Sequence, residues 1–391
     1  MAFRTILGVL TLAALIPTLY ERGRVLPLFY KNAPARLAKI NAIGSYEIKF
    51  QDQIRSCEDV FLIEERHLAI MACDAGRERW NTVMGLNLPG EVEHAKLWAY
   101  DYKRTSSPDS ESLTRIKLLD FPSEADFHTL GMGYDRESST LFVTNHAKAG
   151  PRIETFKLNL DKLTATYLRT IQDPLIHGPN AIAVINSNEF YVTNAQRWTK
   201  GQSKVLNLLE TYLSTATGTV VHVNIKNPQP EANIVAYLPF ANGIELLNDS
   251  TVAVSASSRA TVQFFNKPSA TIFEPGFQLR LPFLPDNLSK SGGKLFIAGH
   301  PHLPSLAKFT HTRYICNDAD ELAGATADVK EFCATGLGAS WVAEWSEGGG
   351  LKHLYVGTDY PTSATAAKDA DKGVGIVSGL YAKGILVWRD D

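Results

Sequence analysis

The chain has 391 residues, is 45% hydrophobic and carries a formal net charge of −2. It has enough apolar material for a large core, and its length suits two or three ordinary domains or one long all-β repeat fold. With no surplus of Lys and Arg to neutralise phosphates, nucleic acid is excluded as the main partner.

The first element in chain order is apolar. Residues 5–20, TILGVLTLAALIPTLY, are free of charge, with Arg4 before them and Arg22 and Arg24 after. The run is shorter than the ~20 residues of a comfortable spanning helix, and it fits the apolar core of a secretory signal. No small-x-small cleavage site follows. Residues 1–24 therefore read as a signal peptide or a retained membrane anchor, and the chain is expected in the secretory pathway, secreted or membrane-anchored. Residues 40–391 read as a single domain.

The four cysteines are compatible with that route. Cys57 and Cys73 flank a hairpin, CEDVFLIEERHLAIMAC, whose turn falls near Glu64-Glu65-Arg66. A register with Leu62 opposite Leu68 sets Cys57 opposite Cys73. Cys316 and Cys333 sit in one polar loop that a bond between them would close. Four reduced thiols are the alternative. Two Asn-x-Ser sequons occur, at Asn248 and Asn287, and Asn248 is the expected glycosylation site.

Beyond residue 45, short β-rich runs alternate with turn clusters, as at 60–63, 67–71, 140–146, 181–185, 219–225, 251–255, 294–299 and 353–358. A loose unit recurs: a polar-tipped strand start, an apolar strand, a short turn. Compare AIAVINSNEFYVTN, GIELLNDSTVAVSA and NLSKSGGKLFIAGH. Such regularity over this length predicts an all-β propeller or a large barrel, and the unit length would give a propeller six or seven blades. Residues 203–213, SKVLNLLETYL, are the exception. Val205, Leu208, Leu209 and Tyr212 recur at helical spacing and predict an amphipathic helix that lids a pocket, lies on a lipid surface or packs on its own domain. Residues 81–93, 301–337 and 360–372 read as irregular segments rimming one face.

The strand starts carry the chemistry. Glu58-Asp59, Asn180, Asn242 and Asp286-Asn287 lie far apart in sequence, yet each opens an apolar strand. A radial fold brings such starts to one axis. Hard oxygen donors from Asp, Glu and Asn suit Ca²⁺ rather than zinc or copper. Each residue alone would read as an ordinary turn or cap residue. No Walker loop, zinc spacing or Gly-x-Ser-x-Gly frame is present.

Taken together, these segments resemble the paraoxonase/arylesterase family of calcium-dependent hydrolases. The residues that carry the likeness are Ser56-Cys57-Glu58-Asp59-Val60, Leu141-Phe142-Val143-Thr144-Asn145-His146, Asn180-Ala181-Ile182-Ala183-Val184, Phe240-Ala241-Asn242-Gly243-Ile244, Asp286-Asn287-Leu288 and Gly299-His300-Pro301, in family order. The resemblance implies a six-bladed β-propeller with a catalytic calcium deep in its central cavity. Glu58, Asn180, Asn242, Asp286 and Asn287 would be its ligands, and a small ester or lactone its substrate. It also implies a second, structural calcium, for which Asp59 and the Met132 carbonyl match, but Ala181 stands where the family has Asp. The family's proposed base lies in a Phe-x-Pro-His-Gly-Ile stretch. Here the text is Phe127-His128-Thr129-Leu130-Gly131-Met132, which puts Leu130 at the histidine and His128 two residues earlier. The expectation is His128 as base, His146 as its relay and His300 in contact with substrate. The N-terminal segment and the 203–213 helix would touch a membrane or lipid surface. The rival readings are a non-enzymatic propeller stapled by calcium and an enzyme of the strictosidine-synthase or gluconolactonase type.

Overall fold

The computed structural model describes residues 2–103, 109–122 and 125–390, the side chains of residues 2–15 and 109–110 aside. Its described strands form six blades around one axis, each of four antiparallel strands running outward from the axis. Blade 1 holds Arg55–Ile63, Leu68–Cys73, Lys96–Asp101 and Leu113–Leu119, and blade 2 holds Thr129–Asp135, Thr140–Ala147, Gly150–Asn159 and Thr164–Ile171. Blade 3 runs from Pro179–Asn186 to Glu231–Leu238, and blade 4 from Ala241–Asn248 to Ile272–Arg280. Blade 5 comprises Leu284–Ser291, Lys294–His300, Ser340–Ser346 and Gly350–Gly357. Blade 6 comprises Ser363–Asp369, Val374–Lys383 and Ile385–Arg389, and takes its outermost strand, Tyr46–Lys49, from the other end of the chain. That exchange closes the circle and leaves the first and last blades tied edge to edge.

The reason these residues form blades lies in their burial on both faces. Thr140–Ala147 is buried at every position. Leu141 and Val143 enter an apolar slab shared with blade 1, while Phe142 enters one shared with blade 3. A strand with two buried faces needs a nearly continuous apolar run. The six largest apolar clusters each join two neighbouring blades, so the core is six slabs rather than one ball.

Three expectations are corrected. Residues 301–337 are not irregular. They form helices Leu303–Cys316, Ala319–Gly324 and Ala327–Thr335, with His302 and Asp318 capping the first two through side-chain acceptors. Residues 360–372 contain Ser363–Asp369, the innermost strand of blade 6. Its SATAAKD text carries little intrinsic strand preference, and tertiary packing overrides that. In the first hairpin, Leu62 pairs with Ala69 rather than Leu68. One extra residue between Cys57 and Asp59 then restores Cys57 opposite Cys73. Both disulfides form, Cys57–Cys73 and Cys316–Cys333.

One face of the propeller is roofed. The N-terminal helix, Ala2–Lys31, docks through its second half. Val25 is fully buried, Arg22 donates to the Ser258 carbonyl at 2.6 Å, and Asn32, just past the helix, donates to the Pro282 carbonyl at 2.7 Å. Most of the apolar run at 5–20 has side chains outside the described residues. Among the described residues, no helix is long and apolar enough to cross a membrane. The amphipathic helix spans Lys204–Leu213, capped by Ser203. The three-helix insert at 303–335 is pinned to the 74–93 loop, where Arg79 pairs with Glu321 at 2.8 Å and Asn317 donates to Glu78 at 2.7 Å.

Candidate functional site

In every blade the innermost strand carries one more residue near its start than the strand it pairs with. The extra residue falls between Cys57 and Asp59, Thr129 and Met132, Pro179 and Ile182, Ala241 and Ile244, Pro285 and Leu288, and Ser363 and Thr365. Such β-bulges re-aim a side chain out of the strict in-out alternation. The residues at the bulges are Glu58, Leu130-Gly131, Asn180-Ala181, Asn242-Gly243, Asp286-Asn287 and Ala364. Four of the six supply oxygen donors. The geometry is reinforced locally: Thr193 Oγ1 accepts from Ala181 N at 3.0 Å and Thr144 Oγ1 from Leu130 N at 3.1 Å, satisfying amides that the bulge removes from the ladder. Ser56, Phe240 and Thr362, each two residues before a bulge, hold left-handed backbone at φ 55°, 57° and 57°. Strain of this kind costs of order 1–3 kcal/mol per residue and clusters at functional sites.

Neighbouring bulges touch. A Cβ on Gly131 would lie 2.4 Å from the Asn180 carbonyl oxygen, and one on Gly243 2.5 Å from Asn287 Cα. Only a hydrogen fits at either position, which is what lets the donors converge.

Glu58, Asn180, Asn242, Asp286 and His300 line a single cavity of about 200 Å³ beneath the roof. Asn287 stands beside them, its Nδ2 donating to Glu58 Oε1 at 2.9 Å and to Thr365 Oγ1 at 3.0 Å. Those two bonds turn its Oδ1 away from both partners. The acceptors that remain are telling. Glu58 Oε2, Asn180 Oδ1, Asn242 Oδ1 and Asn287 Oδ1 are all buried without a hydrogen-bond partner. Buried polar atoms are nearly always paired, and each orphan costs roughly 1–3 kcal/mol. Four orphaned oxygens from four blades, all acceptors, are the complement of a hard cation. Burial, then the nearby Asp286 and Asp59 carboxylates, pushes the Glu58 carboxyl well above its ordinary range. A cation would relieve that cost. Among the described residues no group of three or more His, Cys, Asp or Glu is arranged to hold a metal; this set is rich in carboxamides instead. The residues fit calcium.

The histidines divide. His300 lines the cavity, with Nε2 2.9 Å from Asp286 Oδ2 and Nδ1 buried and unpartnered. His128 and His146 line a small neighbouring compartment with Asp74, Arg77 and Trp80. Leu130 and Asn81 line both spaces. His128 lies just before the strand Thr129–Asp135, not within it, so the shared-face argument for i and i+2 does not carry it into the cavity. Its Nδ1 sits 3.4 Å from Asp74 and its Nε2 has no partner. His146 is tied at both nitrogens, to Thr82 Oγ1 and the Pro179 carbonyl, each at 2.6 Å. Burial pushes its pKa down to about 4.

Sequence reasoning missed Asp74 and Arg77, which lie between the hairpin that ends at Cys73 and the stretch read as irregular from residue 81, and Asn81, which opens that stretch. Their signal is tertiary: Arg77 is 2% exposed and donates to the Thr129 carbonyl at 2.6 Å, and Asn81 donates to Tyr381 OH at 2.8 Å. Apolar residues make up much of the remaining wall, Phe29, Met84, Leu208, Leu284, Leu303 and Leu306 among them, with Arg22, Gln196, Lys200 and Asn207 as polar members.

Asp59 faces away from this cavity. Its Oδ2 accepts from Met132 N at 2.7 Å, and its Oδ1 accepts from Val60 N at 2.8 Å and Thr365 Oγ1 at 3.1 Å.

The chain is similar to serum paraoxonase/arylesterase 1 of Mus musculus, 27% identical over 227 residues, covering 56% of this chain and 62% of the relative. It is also similar to serum paraoxonase/arylesterase 2 of Rattus norvegicus, 27% identical over 171 residues, covering 43% of this chain and 47% of the relative. The alignments thus span about half to three-fifths of those relatives' lengths. Among solved structures it resembles a gluconolactonase from Xanthomonas campestris, at TM-score 0.49 and 13% identity, covering 91% of this chain and 94% of that one. Residues 99–314, more than half of the chain, match the family model for arylesterase. This six-bladed propeller belongs to the arylesterase family.

Proposed function

We propose that the chain is a calcium-dependent hydrolase of aryl esters and lactones, with organophosphate esters open to the same chemistry. The supporting observation is that Glu58, Asn180 and Asn242, each with an orphaned acceptor oxygen, line one buried cavity with Asp286, while Asn287, with a fourth, is bonded to Glu58. When bound there, a calcium ion supplies Lewis-acid polarisation of an ester carbonyl and a counter-charge for the oxyanion. The chain's own residues do the rest. The apolar wall takes the non-polar part of the substrate and excludes bulk water. His300 is the histidine placed to receive a proton from an attacking water at Nδ1, while Asp286 holds its Nε2. His128, backed by Asp74 with His146 beside it, is the second candidate base, and Leu130 stands between it and the cavity.

The test is hydrolysis of phenyl acetate and a simple aromatic lactone with Ca²⁺, then with EDTA. Activity should vanish on chelation and return with calcium, and Asp286→Ala should lose both metal and activity. His300→Ala should cost roughly 10²–10⁴-fold in kcat, and His128→Gln far less. The reverse ranking would reassign the base. Absence of turnover with calcium bound would favour a purely structural ion, the reading that Leu130 in place of the family's histidine supports. Turnover that survives EDTA would favour a metal-free propeller chemistry.

Passage through the secretory pathway and attachment to a lipid surface belong to the same proposal. Two disulfides support the first. For the second, the amphipathic helix turns its apolar residues outward, with Val205 67%, Leu208 55% and Leu209 46% exposed, beside Leu19 and Tyr20 of the N-terminal helix at 61% and 59%. Asn248 lies exposed at a turn, open to a glycan, whereas Asn287 is 3% exposed. The mass of the secreted chain would report both N-terminal cleavage and glycosylation.

A further inference from the structure

Asp59 lies one residue past Glu58 on the same strand and does not line the cavity. The family resemblance implies a second, structural cation there, shared by Asp59, the Met132 carbonyl and a third carboxylate. The residues present do not fit one. Both Asp59 oxygens are already engaged by donors: Oδ2 takes the Met132 N–H at 2.7 Å, and Oδ1 takes the Val60 N–H at 2.8 Å and faces the Thr365 hydroxyl at 3.1 Å. The group that Met132 turns toward the carboxylate is its N–H, whose positive end would repel a cation. The third position is Ala181, buried and without a donor. The nearest carboxylate on blade 4, Glu245, already faces an ammonium, with Lys290 Nζ 4.0 Å away on blade 5.

The contrast with the cavity is sharp. There, four buried acceptors have no partner. Here, both Asp59 oxygens have one. The same kind of carboxylate, one residue apart on one strand, is left open on one side of the bulge and fully occupied on the other.

We infer that this chain binds one metal ion, not two, and that hydrogen bonds do the structural work of the second ion. Asp59 is the hub. It joins blade 1 to blade 2 through Met132 and to blade 6 through Thr365, whose single hydroxyl hydrogen is shared between Asp59 Oδ1 at 3.1 Å and the Glu58 carbonyl at 2.9 Å. Three blades that an ion would staple by charge are stapled by directional donors. This rests on the calcium reading of the cavity.

The experiment is a calcium count on the full chain, by elemental analysis after dialysis and by titration calorimetry of the stripped protein. It is run on the wild type, on Asp59→Asn and on Asp286→Ala. One ion per wild-type chain is expected, retained in Asp59→Asn and lost in Asp286→Ala. Asp59→Asn should lower the thermal midpoint by the same amount with or without calcium, because a carboxamide keeps only one acceptor oxygen for three donors. Two ions per wild-type chain, falling to one in Asp59→Asn, would overturn the inference and leave the cavity reading standing. No ion at all would overturn both. Should Asp59→Asn fail to fold, the wild-type count alone decides, one ion supporting the inference and two overturning it.

Discussion

Gly243 shows how much of the site depends on a side chain that is absent. It is no ligand, yet a Cβ there would fall 2.6 Å from the Asp286 carbonyl oxygen and 2.5 Å from Asn287 Cα. Gly243→Ala must push the blade 5 bulge aside. Overpacking of this kind costs roughly 1–3 kcal/mol, and calcium affinity, read by calorimetry, should fall about tenfold or more. His222 makes a second residue-scale case. Both its ring nitrogens are buried and unpartnered, beside the Tyr191 ring at 5.5 Å between centroids. Burial lowers its pKa below the ordinary value of 6.5. The unfolded chain therefore binds the extra proton at higher pH than the folded one does. Stability is full above the unfolded pKa and declines as pH falls through it toward the folded value. His222→Phe should flatten that decline, narrowing the gap between urea midpoints measured at pH 7.5 and pH 5.

At the scale of the element, the helix Lys204–Leu213 inverts the usual logic of amphipathic burial. Its buried residues are Asn207 and Glu210. Glu210 accepts the Arg197 and Trp198 amides at 3.1 and 2.9 Å, and Asn207 donates to Gln196 at 2.8 Å. The polar face is the anchor, so the apolar stripe is free to meet something else. The pair Val205→Glu and Leu209→Glu should reduce co-flotation with phosphatidylcholine vesicles and leave phenyl acetate turnover intact, because neither residue lines the cavity. Unchanged flotation would remove this helix from any lipid contact. The insert at 303–335 is a further roofing element, closed on itself by Cys316–Cys333 and contributing Leu303, Leu306 and Ala307 to the cavity wall.

For the whole molecule, stability resides in the slabs between blades and function at the axis where blades meet. Phe142 is fully buried in the slab shared by blades 2 and 3, with its ring 5.0 Å from that of Phe190. Phe142→Ala should cost about 3–5 kcal/mol by urea denaturation. It should do so equally in calcium and in EDTA, since the slab touches no donor. The closure strand Tyr46–Lys49 makes the ring one unit: Ile48 pairs with Leu386 and Glu47 with Val387, so blade 6 is built from segments far apart in the chain.

The all-β class, the propeller, and the coming together of Glu58, Asn180, Asn242, Asp286 and Asn287 were legible in the text of the chain. Strand burial on two faces leaves apolar runs, and hard oxygen donors at the mouths of such runs are unusual enough to notice. The cysteine partners were legible too, although by a register one residue off, because nothing local announces the extra residue at Glu58. Three things were decided only in three dimensions. Six bulges, not strand alternation, aim the donors, and a bulge is a property of two paired strands. His300 reaches the cavity while His128 lies behind Leu130, since a sequence offset cannot say on which side of a wall a ring will stand. Asp59 and Glu58, adjacent and chemically alike, differ in whether partners from other blades fill their oxygens, and those partners, Met132 and Thr365, are far away along the chain.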